Sequence, residues 1–330
     1  MLREPRARSQ QRLRNAGFFS LIPLLVFLLL TSGYNSGQPP QVRADNDNGG
    51  HIENTVVIPS YHEAGNIPAL VTRIFQAVES PDTTEVVIVD DDSRDGTEEA
   101  VERLREEGYN VAVVTRKDES GLSSAVLRGL KEARGSKFVI MDADLQHPPE
   151  SVPHFFKALS ERRPFVMGTR YGPSGAVDKD WPFLRRLMSG VARSLARPLT
   201  STSDPMSGFF GLTKDLYTQA AHVNPVGFKI ALELLLKTGI PDDRVAEVSY
   251  AFAKRTVGAS KLSSKTVLKY LFHLATLYRW RMGFFGLVFF EALLVGGCWV
   301  ALYALEVGVV WWRQQRRQAY RRREKGRLDV

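Results

Sequence analysis

Short apolar runs alternate with segments of helical character through the first half of the chain, and this alternation restricts the fold more than any other feature. The runs, rich in β-branched residues, are Thr55–Pro59, Glu85–Asp90, Val111–Thr115 and Phe138–Met141. Helices are predicted between them at Ile67–Ala77, Gly96–Glu107 and Ser123–Ala133. Buried strands that alternate with helices through short loops form parallel sheets covered on both faces. We therefore predict an α/β chain with a doubly wound, mostly parallel sheet.

Polar residues follow each of the four runs. They occupy Pro59–Glu63, Asp90–Thr97, Arg116–Leu122 and Asp142–Gln146. In an open α/β sheet the carboxyl ends of the strands face the ligand crevice. The sequence contains neither a P-loop nor a dinucleotide-binding glycine fingerprint. The pattern predicts a nucleotide site in which carboxylates read base and ribose, while a metal and cations hold the phosphates.

Two carboxylates one residue apart end the fourth run. Asp142 and Asp144 share one face of an extended segment, and Gln146 follows two residues later on that face. Oxygen ligands of this kind suit Mg²⁺ or Mn²⁺. Acidic strand ends that only cap the next helix are also common, so the polar neighbours are what favour a metal site here.

The carboxy-terminal part is typical of a membrane anchor. Residues 283–312 contain no Lys or Arg, and about 20 apolar residues suffice to cross a bilayer. Residues 263–282 place Lys265, Lys269, His273 and Thr276 on a narrow polar stripe. This stripe predicts an amphipathic helix in the membrane interface, and a helix packed in the core is the alternative.

Charge and hydrophobicity divide the rest of the chain. Residues 1–50 combine an Arg-rich start, a hydrophobic segment at 18–30 and a flexible linker, which predicts a secretory signal or signal-anchor. A domain at 51–262 follows, and the tail at 313–330 is basic. The net charge of +8 is concentrated at the ends beside apolar segments, which favours membrane lipids over nucleic acid as partners. The positive-inside rule would put both tails in the cytosol and the domain in the lumen.

Several motifs resemble a known family. Val57–Ile67, Val89–Thr97 and Asp142–Gln146 resemble successive motifs of family 2 glycosyltransferases, which have the Rossmann-like GT-A fold. The later motifs resemble the dolichol-phosphate mannosyltransferase branch of this family. They are Gly168–Tyr171, Ser203–Gly211, Asn224–Glu233 and Arg255–Leu262. The single carboxy-terminal anchor is similar to the one-chain form of that branch. The resemblance departs at His62, where Asn is usual, and at Asp92, where Gly is usual.

The resemblance implies an activity. It is inverting transfer of mannose from GDP-mannose to dolichyl phosphate, which gives dolichyl β-D-mannosyl phosphate, the mannose donor for protein glycosylation and GPI-anchor assembly. The resemblance also implies a location in the endoplasmic reticulum membrane, with the catalytic domain facing the cytosol. This orientation is opposite to the one that the charge bias predicts. Accessory membrane subunits are allowed by the resemblance but not required. A polyprenyl-phosphate glucosyltransferase that uses UDP-glucose and a non-catalytic membrane subunit are the alternatives.

Site residues follow from the matched motifs. The resemblance assigns metal binding to Asp142, Asp144 and Gln146, and catalysis to Asp144, Arg170 and Arg255. It assigns the acceptor phosphate to Arg170, Arg185 and Ser189. Nucleotide-sugar binding falls to Pro59, Tyr61, Glu63, Asp90, Asp91, Asp142, Ala143, Asp144, Gln146, Arg255 and Lys261. A phosphate monoester is mostly ionised near pH 7, so this acceptor needs cations more than a general base. Glu233 is the residue to test as a base, with a helix-positioning role as the equal alternative.

Overall fold

The computed structural model of the chain describes residues 50–172, 183–224, 229–253 and 264–328. The predicted hydrophobic segment at 18–30, Arg255 and Lys261 lie outside the described residues, and so does the side chain of Arg185. The described chain divides into two compact units with the boundary between Leu277 and Tyr278.

The first unit is built on a seven-stranded sheet in the order β3-β2-β1-β4-β6-β5-β7. The strands are β1 (Asn54–Ser60), β2 (Thr84–Asp90), β3 (Val111–Thr115), β4 (Lys137–Ile140), β5 (Phe165–Thr169), β6 (Phe210–Thr213) and β7 (Val245–Ser249). Only β6 pairs in the antiparallel sense, with β4 on one side and β5 on the other. The predicted mostly parallel α/β sheet is therefore confirmed, and the four predicted strands are β1 to β4.

The helices follow the strands in alternation. They are α1 (Ile67–Ala77), α2 (Thr97–Glu106), α3 (Leu122–Glu132), α4 (Val152–Ala158), α5 (Phe183–Ala196), α6 (Lys214–Gln219), α7 (Ile230–Lys237) and α8 (Ser264–Leu328). Their apolar faces cover both sides of the sheet, because successive side chains of a strand point to opposite faces. Val56 and Ile58 of β1 belong to the apolar core on one side, whereas Val57 belongs to the core on the other.

Helix α3 lies unusually close to the sheet. A Cβ atom at Gly129 would lie 2.3 Å from Cγ1 of Val57 and 3.0 Å from Cγ2 of Val89, so a larger residue there would push the helix away. This close approach places the first turn of α3, at Gly121 and Leu122, beside the carboxyl ends of β1 and β2.

Helix α8 is two helices joined at a kink. Gly283 has φ 61° and ψ −147°, a non-helical conformation that a residue with a side chain rarely adopts. Residues before Tyr278 belong to the sheet-bearing unit and pack within it. Leu274 and Leu277 are buried, and the Tyr270 hydroxyl donates a 2.8 Å hydrogen bond to the Ala192 carbonyl of α5.

Two residues of the predicted polar stripe are buried. His273 and Thr276 are 1% and 7% exposed, which at these positions agrees with the alternative of a helix packed in the core. Both have hydrogen-bond partners inside the protein, which offset the cost of removing polar groups from water. Lys269 and Leu268 lie on the exposed side instead. Helical periodicity therefore located a polar face, but not the direction in which that face points.

Within the described ranges, one helical stretch is long and apolar enough to cross a membrane. By length and composition alone this is Thr266–Gly297, which begins earlier than the predicted span and includes the kink at Gly283. In the second unit, Phe285, Trp299 and Tyr303 are 80%, 57% and 69% exposed. Large apolar side chains exposed along one helix are typical of a surface that contacts lipid or protein.

Candidate active site

The carboxyl ends of β1, β2 and β4, together with the start of α3, enclose a cavity of about 580 Å³. It is lined by Pro59, Ser60, Tyr61, Glu63, Asp91, Ser120, Gly121, Leu122, Ala125, Asp142, Ala143 and Asp144. Of the predicted donor-site residues that the structure describes, only Asp90 and Gln146 are missing from this lining. A cavity of similar volume opens at the amino ends of the strands, near Phe75 and Arg134, and contains none of the predicted site residues.

Asp90 lies behind the cavity wall. It is 2% exposed, and its carboxylate accepts hydrogen bonds from the Ser93 amide (2.8 Å) and the Ser93 hydroxyl (2.6 Å). The Ser93 oxygen in turn accepts from the His62 amide at 2.8 Å. Asp90 therefore ties the loop after β1 to the loop after β2, and its role toward guanosine stays a prediction.

The two residues that depart from the family pattern share an unusual backbone conformation. His62 has φ 59° and Asp92 has φ 49°, so both adopt the left-handed conformation. Gly reaches this region without steric cost, and Asn reaches it more readily than most residues. The usual Asn and Gly therefore suit the backbone at these positions, and His62 and Asp92 keep the same backbone at some cost in strain.

A buried arginine that the sequence analysis missed holds Asp91. The Arg116 side chain is 4% exposed and pairs with Oδ1 of Asp91, while Oδ2 accepts the Gly121 amide at 2.7 Å. Nη1 of Arg116 also donates to the Ser124 hydroxyl at 2.8 Å. These contacts connect the ends of β2 and β3 to the start of α3. The sequence signal was Arg116 directly after a strand.

The predicted metal ligands lie together at the end of β4. Asp142 and Asp144 both line the cavity, and the chain after them passes through Leu145, which has a φ of 60°. The Gln146 amide donates to Oδ1 of Asp144 at 3.1 Å. Its side-chain Nε2 donates to the Ala253 carbonyl at 3.1 Å, and the Ala253 amide donates back to the Gln146 carbonyl at 3.0 Å.

This donor set fits a cation that also binds phosphate. Among the described residues, no three or more His, Cys, Asp or Glu side chains meet in a metal-binding group. Mg²⁺ is commonly held by one or two carboxylates together with substrate phosphates and water. Asp142 and Asp144 supply those carboxylates. Because Gln146 uses its Nε2 toward Ala253, its Oε1 is the atom suited to a cation.

A buried histidine, also missed from the sequence, orients Asp142. His147 Nδ1 accepts the Asp142 amide at 3.0 Å, and its ring stacks on Phe209 with 5.0 Å between centroids. Burial lowers the pKa of His147 to about 3, although the negative charge of Asp144 acts in the opposite direction. The ring is therefore neutral at physiological pH, and its Nδ1 accepts the hydrogen bond from the Asp142 amide. Its position directly after Gln146 was the available sequence signal.

Arg170, predicted to bind the acceptor phosphate, forms a buried ion pair. Its Nε and Nη2 donate to the two oxygens of Asp204 at 2.7 and 2.9 Å, and the Asp204 side chain is fully buried. Burial opposes the charged guanidinium, but the Asp204 hydrogen bonds and charge outweigh it, so the pKa of Arg170 lies above its ordinary value. Nη1 takes no part in this pair. Ser189 is half-buried on α5.

Lys229 adds a cation that the sequence analysis did not assign. Its ammonium donates to the Met206 carbonyl at 2.5 Å, in the loop that carries Asp204. Burial and the neighbouring Arg170 lower the pKa of Lys229 to about 8. The lysine stands inside the quoted Asn224–Glu233 motif, in an otherwise apolar stretch, which was the signal for it.

Comparison with known proteins agrees with this architecture. Residues 55–219 match glycosyl transferase family 2. The chain is 52% identical over 241 residues to dolichol-phosphate mannosyltransferase of Mycosarcoma maydis, covering 71% of this chain and 82% of that protein. It is 50% identical over 246 residues to dolichol-phosphate mannosyltransferase of Saccharomyces cerevisiae, covering 72% and 92%. Among solved structures, glucosyl-3-phosphoglycerate synthase from Mycobacterium tuberculosis, in complex with Mn²⁺, UDP and glucosyl-3-phosphoglycerate, shares the fold. Its TM-score is 0.53 and its identity 19%, over 74% of this chain and 88% of that one.

Proposed function

The chain belongs to glycosyl transferase family 2, and from that premise we propose that it is a membrane-associated enzyme that transfers mannose from GDP-mannose to dolichyl phosphate. The products are dolichyl β-D-mannosyl phosphate, formed with inversion, and GDP. The observation that carries the proposal is about 50% identity to two dolichol-phosphate mannosyltransferases over most of the chain.

The positions of two carboxylates and one arginine support separate sites for the donor and the acceptor. Asp142 and Asp144 follow β4, and Arg170 follows β5. Both strands are antiparallel to β6, so they run in the same direction and end at the same edge of the sheet. The carboxylates suit a donor diphosphate through a divalent cation, and the arginine suits an anionic acceptor.

The proposed cation is Mg²⁺ or Mn²⁺, held by Asp142, Asp144 and Gln146. When bound, it supplies charge neutralisation for the leaving GDP. The neutral ring of His147 holds the Asp142 backbone in place, because Nδ1 accepts that amide. The structural neighbour that contains Mn²⁺ with UDP is compatible with this use of a metal in the fold.

The acceptor side needs cations more than a base. A phosphate monoester has its second pKa around 6, so its nucleophilic oxygen is already ionised near neutral pH. Asp204 holds Arg170 in one orientation through two hydrogen bonds. Nη1 of Arg170 is then the edge suited to the acceptor phosphate, with Arg185 and Ser189 as its proposed partners and Arg255 and Lys261 acting on the donor phosphates.

The cavity lining supports guanine over uracil as the donor base. Glu63 contributes a carboxylate residue to the wall, whereas both oxygens of Asp91 are already held by Arg116 and the Gly121 amide. The pairing edge of guanine offers N1–H and the N2 amino group as donors, whereas uracil offers a single N3–H. The two oxygens of one carboxylate can accept both guanine donors, which favours GDP-mannose over the alternative UDP-glucose.

The exposed apolar side chains of the second part of α8, such as Phe285, Trp299 and Tyr303, and the membrane-linked acceptor support association with a membrane. The proposed location is the endoplasmic reticulum, with the catalytic domain on the cytosolic side. This follows from the family resemblance and opposes the charge bias of the two ends. No accessory subunit is required for the proposed reaction.

One assay tests the proposal. The purified full chain in detergent is given dolichyl phosphate and Mg²⁺ with either GDP-mannose or UDP-glucose, with and without chelator. We expect metal-dependent formation of mannosyl lipid from GDP-mannose. Preferential turnover of UDP-glucose would support the glucosyltransferase alternative instead. Absence of transfer from both donors, under conditions where the yeast relative is active, would favour a non-catalytic subunit.

A further inference from the structure

Glu233 lies at the centre of a buried charged cluster on the acceptor side. Its side chain is 1% exposed on α7. Oε1 accepts from Lys237 Nζ at 3.0 Å and from the Asn224 amide at 2.7 Å. Oε2 lies 2.8 Å from Nε2 of His273, on the first part of α8. The side chains of Lys237 and His273 are themselves only 3% and 2% exposed.

These contacts show that Glu233 is a carboxylate. Burial opposes its charge, but His273, Lys237 and the Asn224 amide outweigh burial and hold the pKa of Glu233 below its ordinary value. Since a carboxylate only accepts hydrogen bonds, Nε2 of His273 is the donor. A general base needs a pKa near the working pH and access to the substrate proton. A buried carboxylate that binds three internal donors meets neither requirement.

The cluster joins three parts of the acceptor side. His273 brings in residues 264–277 of α8, and Lys237 also donates to the His222 carbonyl. Asn224 and Lys229 are the described residues on either side of 225–228. Lys229 contacts Met206 in the loop that carries Asp204, the partner of Arg170. In contrast, the cavity of the donor side is lined by residues between 59 and 144.

We propose that Glu233 and His273 form a positioning pair that holds residues 264–277 of α8 and the Asn224 backbone in the arrangement required by a lipid-linked phosphate acceptor. The pair acts through other residues and does not contact the reacting atoms. This inference rests on the proposed function, because it assumes transfer to a membrane acceptor. Its consequence is that loss of the pair weakens the use of the acceptor and leaves the binding of nucleotide unchanged.

The test compares variants of His273 that differ in one hydrogen bond. His273→Leu removes the donor, whereas His273→Gln keeps an N–H donor close to the position of Nε2. Thr276→Val is the matched control, because Thr276 is buried on the same helix but donates only to the His273 carbonyl. Measurements are kcat and KM for dolichyl phosphate, and Kd for GDP by titration calorimetry, after thermal melting has shown that each variant is folded.

We expect His273→Leu to raise the acceptor KM at least tenfold with Kd for GDP within twofold of wild type. His273→Gln and Thr276→Val should stay within threefold of wild type in both quantities. Equal losses in acceptor KM and GDP affinity, or no recovery in His273→Gln, would show a general structural role and overturn the proposal. An unchanged acceptor KM in His273→Leu would overturn it as well.

Glu233→Gln separates positioning from proton transfer. The positioning role predicts a raised acceptor KM and a pH profile of kcat parallel to that of wild type. A fall in kcat of a hundredfold or more at unchanged KM, with loss of the acidic limb of the profile, would mean that Glu233 is a base. Wild-type transfer, measured first, tests the proposed function separately. If no sugar is transferred, the affinity of each variant for dolichyl phosphate is compared instead, with binding monitored by tryptophan fluorescence.

Discussion

Removing one partner of the buried pair between Arg170 and Asp204 should cost far more stability than removing one partner of a surface pair of the same geometry. The chain contains both cases. Arg170 binds Asp204 through two hydrogen bonds of 2.7 and 2.9 Å, with side-chain exposures of 10% and 0%. Arg73 binds Glu150 through two hydrogen bonds of 2.7 and 2.8 Å, with exposures of 41% and 56%. Burial is the main difference between the two pairs, although the Arg170 amide also donates to Asp204 and its guanidinium lies near the Tyr171 and Phe252 rings.

The perturbation is Asp204→Asn, with Glu150→Gln as the matched control. Asp204→Asn keeps the size of the side chain but leaves the buried guanidinium without its counter-charge, which costs about 3–5 kcal/mol. Glu150→Gln removes an exposed ion pair, which is worth about 0–1 kcal/mol. For a domain of this size a loss of about 1 kcal/mol lowers Tm by about 2–4 °C. Asp204→Asn should therefore lower Tm by about 6–20 °C, and Glu150→Gln by about 4 °C at most.

The assay is thermal unfolding of the purified chain in one detergent at one scan rate, since unfolding of a membrane-associated protein is commonly irreversible. Transfer activity is measured on the same samples below the transition. We expect Asp204→Asn to lose acceptor use together with stability, whereas Glu150→Gln keeps both. Equal Tm values for the two variants would show that burial does not raise the cost of removing the counter-charge.

Three further predictions concern the metal site, a titrating residue and the kink. Asp144→Asn should abolish the Mn²⁺-dependent increase in GDP affinity measured by calorimetry, and an unchanged increase would remove Asp144 from the metal site. Because burial holds the pKa of His147 at about 3 while the unfolded chain titrates near 6.5, the unfolded state binds the extra proton between these values. Stability should thus fall as pH drops from 6.5 to 3, by up to about 1.4 kcal/mol per pH unit from this residue. His147→Asn should give a shallower fall of Tm over that range, and identical slopes would contradict the burial argument. Gly283→Ala should lower Tm, because its φ and ψ cost about 1–3 kcal/mol for a residue with a side chain. Gly296→Ala, at a helical site with no atom within 4 Å of the added methyl, should not.

The parallel half of the sheet could be predicted because the sequence pattern that identifies each strand lies within the strand and the residues directly after it. Strands β1 to β4 each consist of a short apolar run followed by polar residues, and each lies where the sequence placed it. The antiparallel strand β6 carries no comparable signal. Its four residues, Phe210–Thr213, pair with β4 and β5, which precede it by many residues. Such pairing is set by the packing of distant elements and not by the pattern within the strand.

The candidate site divides in the same way. The carboxylates of Asp142 and Asp144 were predictable because they directly end a strand. The pairs were not, since Asp204 meets Arg170 across 34 residues and Arg116 meets Asp91 across 25. Partners at such separations are brought together by the fold. The buried side of residues 264–277 could not be predicted either, because it depends on Glu233.

The two hydrogen bonds between Gln146 and Ala253 fix the point from which the chain continues toward Arg255, a proposed ligand of the donor phosphates. Ala253 is fastened to a predicted metal ligand, and Arg255 follows it by two residues. A chain advances at most about 3.6 Å per residue, so two residues of chain reach at most about 7 Å from such an anchor. For the proposed role of Arg255 at the donor phosphates, so short a tether would correspond to an effective concentration of the guanidinium in the millimolar range or above. Lengthening the tether by inserting glycines after Ala253 would dilute that reagent without changing a single functional side chain.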